Sequence, residues 1–343
     1  MPRNQAAGVE RHGARRWRFP VILTPTVLAT ALYWTASQSR GSPDDVPQPP
    51  TKSAPAAKVT LAEARRGFQT KLIRRENDGV AAPEPPAGLF RTVRYDAPSG
   101  RLAAYLTPDP RDGKKHCAIL WIHGGNCNSI REWLWEDAPA SNDQTAAAFR
   151  KAGIVMMFPS LRGGNDNPGV KEGFFGEVDD VLAAAEFLAK QAYVDPSRIY
   201  LGGHSTGGTL VLLVAECSGR FRVVFSFGPG ANILGYDRKY LPFDTSSARE
   251  GELRSPGYWL HSITSPVFVF EGTAGKYSNL GQLQAMRQVS SNPAVHFLAV
   301  EGATHAGILA PASKLIATKI LRDVGPTTNL TFTAEELSGL FAR

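Results

Sequence analysis

The chain has 343 residues, 43% of them hydrophobic and 20% charged, with a net charge of +7. That balance suits a globular protein with a sizeable core and excludes a disordered, collagenous or disulfide-stapled chain. The charge is not spread over a folded face with interleaved aromatics, as a nucleic-acid binder requires. Instead, five arginines and one glutamate within residues 1–18 carry +4 of it, so no nucleic-acid partner is expected.

Residues 1–18 read as a basic cytoplasmic N-terminus. Residues 19–39 follow without a single charge, which is long enough for a transmembrane signal-anchor. The arginines upstream orient it by the positive-inside rule, placing the rest of the chain outside the cytoplasm, periplasmic or extracellular. Pro20, Pro25 and four threonines weaken the segment, and a cleaved signal peptide, giving a secreted protein, is the rival reading. Residues 40–57 form a Pro-rich linker that cannot build a core.

The folded part opens with an N-terminal helix and connector over 58–87. Leu61, Ala64, Phe68 and Leu72 follow a helical spacing, and Thr60 with Glu63 makes a capping box, so a helix is expected over 60–77. Phe90–Tyr95 and Arg101–Leu106 flank Ala97-Pro98-Ser99-Gly100, a hairpin signature. Apolar runs at 117–122 and 153–158 read as strands buried on both faces. A helix over 176–191 precedes a strand at 199–201, and further strands are expected at 221–227, 266–270 and 295–300. Helical stretches fall at 206–217, 279–289 and 307–323, and the tail over 326–343 carries a short helix from Thr333 to Phe341 with its own capping pair, Thr333 and Glu336. This alternation predicts an α/β fold: a mostly parallel, doubly wound sheet with an N-terminal hairpin. The three cysteines, Cys117, Cys127 and Cys217, have no CxxC spacing, and no metal site and no cofactor are expected.

Three motifs carry chemistry. Gly203-His204-Ser205-Thr206-Gly207 lies between a strand and a helix, where a tight turn exposes a serine hydroxyl at the carboxyl edge of the sheet. His123-Gly124-Gly125-Asn126 follows strand 117–122, so Gly124 and Gly125 are expected to offer backbone amides to an oxyanion, with Thr206 as the partner donor. His305 sits in a loop between Gly302 and Gly307, able to reach the serine as general base. His123 and His204 are read as shaping the site.

These residues resemble an α/β-hydrolase. More narrowly, Trp121–Gly125, Pro159–Gly164, Asp179–Ala184, Val194–Leu201 and Gly203–Gly208 resemble the catalytic domain of the prolyl oligopeptidase (S9) and dienelactone-hydrolase-like group. The resemblance spans residues 88–325. It implies a serine hydrolase, an esterase or S9-like peptidase, with Ser205 as nucleophile and His305 as base.

One position departs from that family's pattern. Its usual aspartate falls where this chain has Gly275, so the orienting acid is expected at Glu271, with Asp237 the alternative and Glu301 a third choice, or it is absent. The expected function is a membrane-tethered serine hydrolase acting on a small ester or short peptide; the alternative is a non-catalytic or weakly active hydrolase-fold binding protein lacking the triad acid. Trp133, Trp135, Tyr236, Tyr240 and Trp259 are expected either to line the pocket or to pack as a cap, and nothing in the chain indicates an oligomeric state.

Overall fold

The computed structural model describes residues 58–342. The basic N-terminus, the 19–39 segment and the linker lie outside the described residues. Among those described, no helix is long and apolar enough to cross a membrane.

One sheet of eight strands organises the chain: β1 (Arg91–Ala97), β2 (Gly100–Leu106), β3 (His116–Ile122), β4 (Val155–Pro159), β5 (Val194–His204), β6 (Val224–Phe227), β7 (Val267–Ala274) and β8 (Val295–Thr304). Their spatial order is β1-β2-β4-β3-β5-β6-β7-β8. The β1/β2 and β2/β4 pairs are antiparallel and the remaining pairs parallel, as the alternation of strands and helices predicts. All carboxyl ends from β3 to β8 therefore point to one edge, where loop residues converge.

Alternation along each strand divides the core into two faces. Leu120, Leu201, Val224, Val267 and Val269 lie with the helices α3 (Glu177–Ala189), α4 (Thr206–Cys217) and α6 (Leu280–Val289). Trp121, Tyr200, Phe225, Phe227, Phe268 and Phe270 face the other side, with α2 (Ala147–Lys151), α7 (Leu309–Arg322) and α8 (Ala334–Ser338). The central strands thus present these aliphatic side chains to one face and these aromatic ones to the other. Phe227 stacks on Phe270 at 4.8 Å between ring centroids, and Phe332 meets Phe270 edge-on at 5.4 Å.

The N-terminal helix is a correction. Of the expected 60–77 only α1 (Leu61–Arg65) forms, closed by the Thr60–Glu63 capping box. Gly67 turns left-handed at φ +74°, and the chain then runs extended. Tertiary partners outcompete the helix there. Pro242 O accepts from Ile73 N at 2.8 Å and from Arg74 N at 3.1 Å, while Glu76 O accepts from Lys171 N at 2.9 Å. Phe68 and Leu72 still pack on the core, so the periodicity reported burial correctly and conformation wrongly.

Buried charges hold this arm. Arg254 is fully buried, paired with Glu250 at 2.5 Å, and its Nη2 donates to Thr70 Oγ1 at 2.6 Å. The same guanidinium lies 4.3 Å from the centroid of the Phe243 ring. Glu250 sits in α5 (Ala248–Glu252), a helix that the sequence pattern did not reveal.

Glu216, on α4, is buried, and neither carboxyl oxygen has a hydrogen-bond partner among the described residues. Burial pushes its carboxyl well above the usual range. The folded protein holds a proton that the unfolded chain releases near the usual glutamate pKa, so stability falls as pH rises above that value. Glu216→Gln is therefore expected to melt a few degrees higher than the wild type at neutral pH, with the gap closing in acid below the usual glutamate pKa. Thermal melts across that range check this, and a gap independent of pH would refute it.

Candidate active site

Ser205 joins β5 to α4 with φ 55° and ψ −114°. A non-glycine residue in this region costs on the order of 1–3 kcal/mol, and it persists because the surroundings over-determine it. Ser205 N donates to Phe227 O at 2.7 Å, locking the turn to the end of β6. Only glycine fits the positions around it. A Cβ at 203 would lie 2.6 Å from Gly207 O, one at 207 would lie 2.1 Å from Ile122 O, and one at 208 would lie 2.4 Å from Phe227 O.

His305 follows β8 directly. Its Nδ1 lies 3.0 Å from Glu271 Oε2 and 3.3 Å from Oε1, and Glu271, near the end of β7, is buried. Gly272 N donates to Glu271 Oε1 at 3.1 Å, fixing the carboxylate. Both side chains lie against Gly228: a Cβ there would meet His305 Cε1 at 2.3 Å and Glu271 Oε2 at 2.6 Å. Gly228 directly follows Phe227, the residue that anchors Ser205, so serine, histidine and glutamate gather around the end of β6. Among the described residues no hydrogen bond joins Ser205 Oγ to His305 Nε2, and such bonds tighten only when substrate arrives.

The other two acids do not join them. Asp237 caps a 3₁₀ turn (Arg238–Tyr240), accepting from Lys239 N at 3.0 Å and pairing with Lys239 Nζ at 3.0 Å. Glu301 is exposed on β8. At 275 the backbone takes φ +87°, where an aspartate would be strained, because β7 continues as strand to Ala274 and pairs it with Thr304.

The loop after β3 brings a second correction. Gly124 N–H donates to Gln144 Oε1 at 3.0 Å, so this amide, expected to be open, is already occupied. Gly125, at φ +78°, and Thr206, whose N–H belongs to the unpaired first turn of α4, remain as donors. Thr206 Oγ1 donates to Gly125 O at 2.8 Å and ties the two segments together.

A cavity of about 290 Å³ opens beside Gly125 and Thr206. Phe174, Tyr236, Tyr240 and Pro242 give it an apolar wall; Glu76, Asn126 and Lys171 give it a polar one. Of the five aromatics weighed from sequence, only Tyr236 and Tyr240 line it. Trp135 packs edge-on against Tyr105, Trp133 against His123, and Trp259 is buried with Nε1 donating to Glu252 O at 2.8 Å. The polar wall centres on Asp78, which receives Lys171 Nζ at 2.6 Å, Asn126 Nδ2 at 3.1 Å and the Ser129 hydroxyl. Burial works to raise the Asp78 carboxyl, yet these hydrogen bonds outweigh it and hold it below the usual range. Cys127 also lines the cavity, and burial pushes its thiol up to about 12, which disfavours the thiolate.

With that geometry in place, comparison with known proteins is informative. Residues 140–273 match the model of the prolyl oligopeptidase family. A puromycin-hydrolyzing peptidase of Mycobacterium tuberculosis superposes with a TM-score of 0.56 at 19% identity, over 71% of this chain and 41% of that one. The chain has the α/β-hydrolase fold. A hyperthermophilic esterase of Pyrobaculum calidifontis shares this hydrolase fold at a TM-score of 0.50 and 17% identity, over 68% of this chain and 83% of that one. In sequence, the dual function macrocyclase-peptidase POPB of Galerina marginata is 32% identical over 94 residues, and prolyl oligopeptidase A of Amanita bisporigera 34% identical over 111. Those stretches cover 25% and 31% of this chain, but only 13% of either relative's length.

Gln144 and Gly228 were missed from sequence. Gly228 had a signal, a glycine in Phe-Gly-Pro-Gly at a strand's carboxyl end. Gln144 had none. Gly228→Ala places a methyl group where the imidazole and carboxylate lie. We expect Ser205 reactivity toward a fluorophosphonate probe to fall by about 10² and the melting temperature to drop, because alanine is strained at φ +58°; unchanged labelling would show that the imidazole is not needed at that position.

Proposed function

We propose that this protein is a serine hydrolase that cleaves a small ester or a short-peptide amide through an acyl-enzyme on Ser205. The contact between buried Glu271 and His305 Nδ1 carries the reading. It orients the imidazole with Nδ1–H toward the carboxylate and leaves Nε2 free to accept the Ser205 proton. Ser205 Oγ attacks the substrate carbonyl, and the Gly125 and Thr206 N–H groups receive the developing oxyanion. His305 Nε2 then protonates the departing alcohol or amine. A water, deprotonated by the same imidazole, releases the acyl group. The alternative of an inert binding protein rested on Gly275 in place of the family's aspartate, and a carboxylate already seated on His305 removes its motive.

The small cavity suits a compact acyl group, apolar on the Tyr236 side and able to meet Asn126 on the other. The family likeness, with peptidases and an esterase among the structural neighbours, supports both ester and amide substrates. The basic residues before 19 and the uncharged run over 19–39 support tethering to a membrane, with the hydrolase outside the cytoplasm.

A fluorophosphonate probe is expected to label the wild type and not Ser205→Ala. Glu271→Gln should lower kcat by about 10⁴ with little change in melting temperature. Absence of wild-type labelling, or a loss below tenfold in Glu271→Gln, would overturn the triad. For topology, a phosphatase reporter fused after residue 57 should be active outside the cytoplasm, and activity confined to the cytoplasm would refute the tether.

A further inference from the structure

Gln144 belongs to none of the groups that react, yet its side chain connects two of the loops that do. Its Oε1 accepts from Gly124 N at 3.0 Å, its Nε2 lies 2.7 Å from His204 Nδ1, and His204 Nε2 lies 3.0 Å from His305 O. The direction of this chain is fixed at both ends. A backbone N–H only donates, so it selects the amide orientation with Oε1 toward Gly124. A backbone carbonyl only accepts, so His204 must carry its proton on Nε2. Nδ1 is then the unprotonated nitrogen, and it accepts from Gln144 Nε2. All three bonds are satisfied only by neutral His204 in that single tautomer.

The strut is half-buried at Gln144, buried at His204, and braced. His204 is 3% exposed, and its ring centroid is 4.6 Å from that of His305. Gln144 is itself held, with Nε2 donating to Asn142 Oδ1 at 2.9 Å and its backbone carbonyl accepting from Trp121 Nε1 at 3.2 Å. The same residue therefore occupies the amide of the oxyanion loop and, through His204, the main chain of the base.

We infer that Gln144 and His204 are positioning residues: a one-directional hydrogen-bond strut from Gly124 N to His305 O sets the oxyanion loop and the general base at a fixed spacing. This deepens the hydrolase reading and rests on it. Burial, and then the neighbouring His305, push the His204 imidazole well below its usual range. His204 thus stays neutral when His305 takes the serine proton, and no second cation forms against it.

Gln144→Met keeps the length and removes both amide bonds; His204→Phe keeps the ring and removes its nitrogens. Each is expected to lower kcat by about tenfold to a hundredfold with KM little changed and the melting temperature retained, the scale of a small misplacement of reacting groups. The double variant should lose no more than the worse single variant, because both break one chain. Additive losses, or a Gln144→Met enzyme within twofold of wild type, would overturn the strut.

A readout independent of turnover separates this from the hydrolase assignment. In ¹⁵N-histidine NMR, wild-type His204 should show a protonated Nε2 and an unprotonated Nδ1 from about pH 5 to about pH 8. Gln144→Glu, which can only accept, should put a proton on Nδ1 while Nε2 keeps its own, giving an imidazolium paired with the carboxylate. An imidazolium or an Nδ1–H form in the wild type would refute the strut whether or not the protein turns over substrate. A wild type with the expected spectrum but no Ser205-dependent turnover would instead refute the hydrolase reading.

Discussion

The backbone of Ser205 is the constraint on which the rest of the site depends. Holding a serine at φ 55° requires the chain to pass close to its neighbours on every side, and glycines at 203, 207 and 208 allow that approach. The same closeness places the start of α4 against the carbonyls of Ile122 and Phe227, hence against β3 and β6. The oxyanion loop leaves from β3 and the Gly228 seat leaves from β6. A turn that only glycine permits therefore sets the reference point for both halves of the chemistry.

Buried charge performs the corresponding task for the walls. Arg162, in the loop after β4, donates to both carboxylate oxygens of Asp180 on α3, at 2.9 and 2.8 Å, and reaches Glu172 at 2.7 Å. Asp180 is fully buried, so removing either partner would strand a charge, an effect of about 3–5 kcal/mol. Gly176 is needed beneath this pair, since a Cβ there would lie 1.7 Å from Arg162 Nη1. Two sequence stretches of the family resemblance, Pro159–Gly164 and Asp179–Ala184, are in this way two halves of one interaction. It fixes the loop that carries Lys171 and Phe174 into the cavity. Asp78 and the Arg254–Glu250 pair attach the N-terminal arm to the other side, so an extended strap takes the place of an expected surface helix.

Much of this architecture was legible beforehand. Apolar runs marked the buried strands, and glycines between a strand and a helix marked the serine turn. Boundaries moved where pairing outran composition. β5 begins at Val194 despite Asp195, Pro196 and Ser197, and β8 runs on through Glu301 to Thr304 because β7 pairs with it that far. α2 and α5 span five residues each, too short for a helical period to stand out. The loop after β3 does lie beside the Ser205 turn, but which of its amides remains free depended on Gln144, a loop glutamine twenty residues away.

By itself, the sequence determined the class of sheet and singled out Ser205 and His305 as the candidate pair, because each rests on a local pattern: strand alternation, glycine spacing, a histidine at a strand end. Tertiary structure decided which carboxylate reaches that histidine, which amide is left for an oxyanion and what walls the cavity. Those outcomes depend on register and on side chains meeting across separate loops. Glu271 and His305 are 34 residues apart, and they meet because β7 and β8 run parallel and end together, with a glycine at 228 leaving room for both.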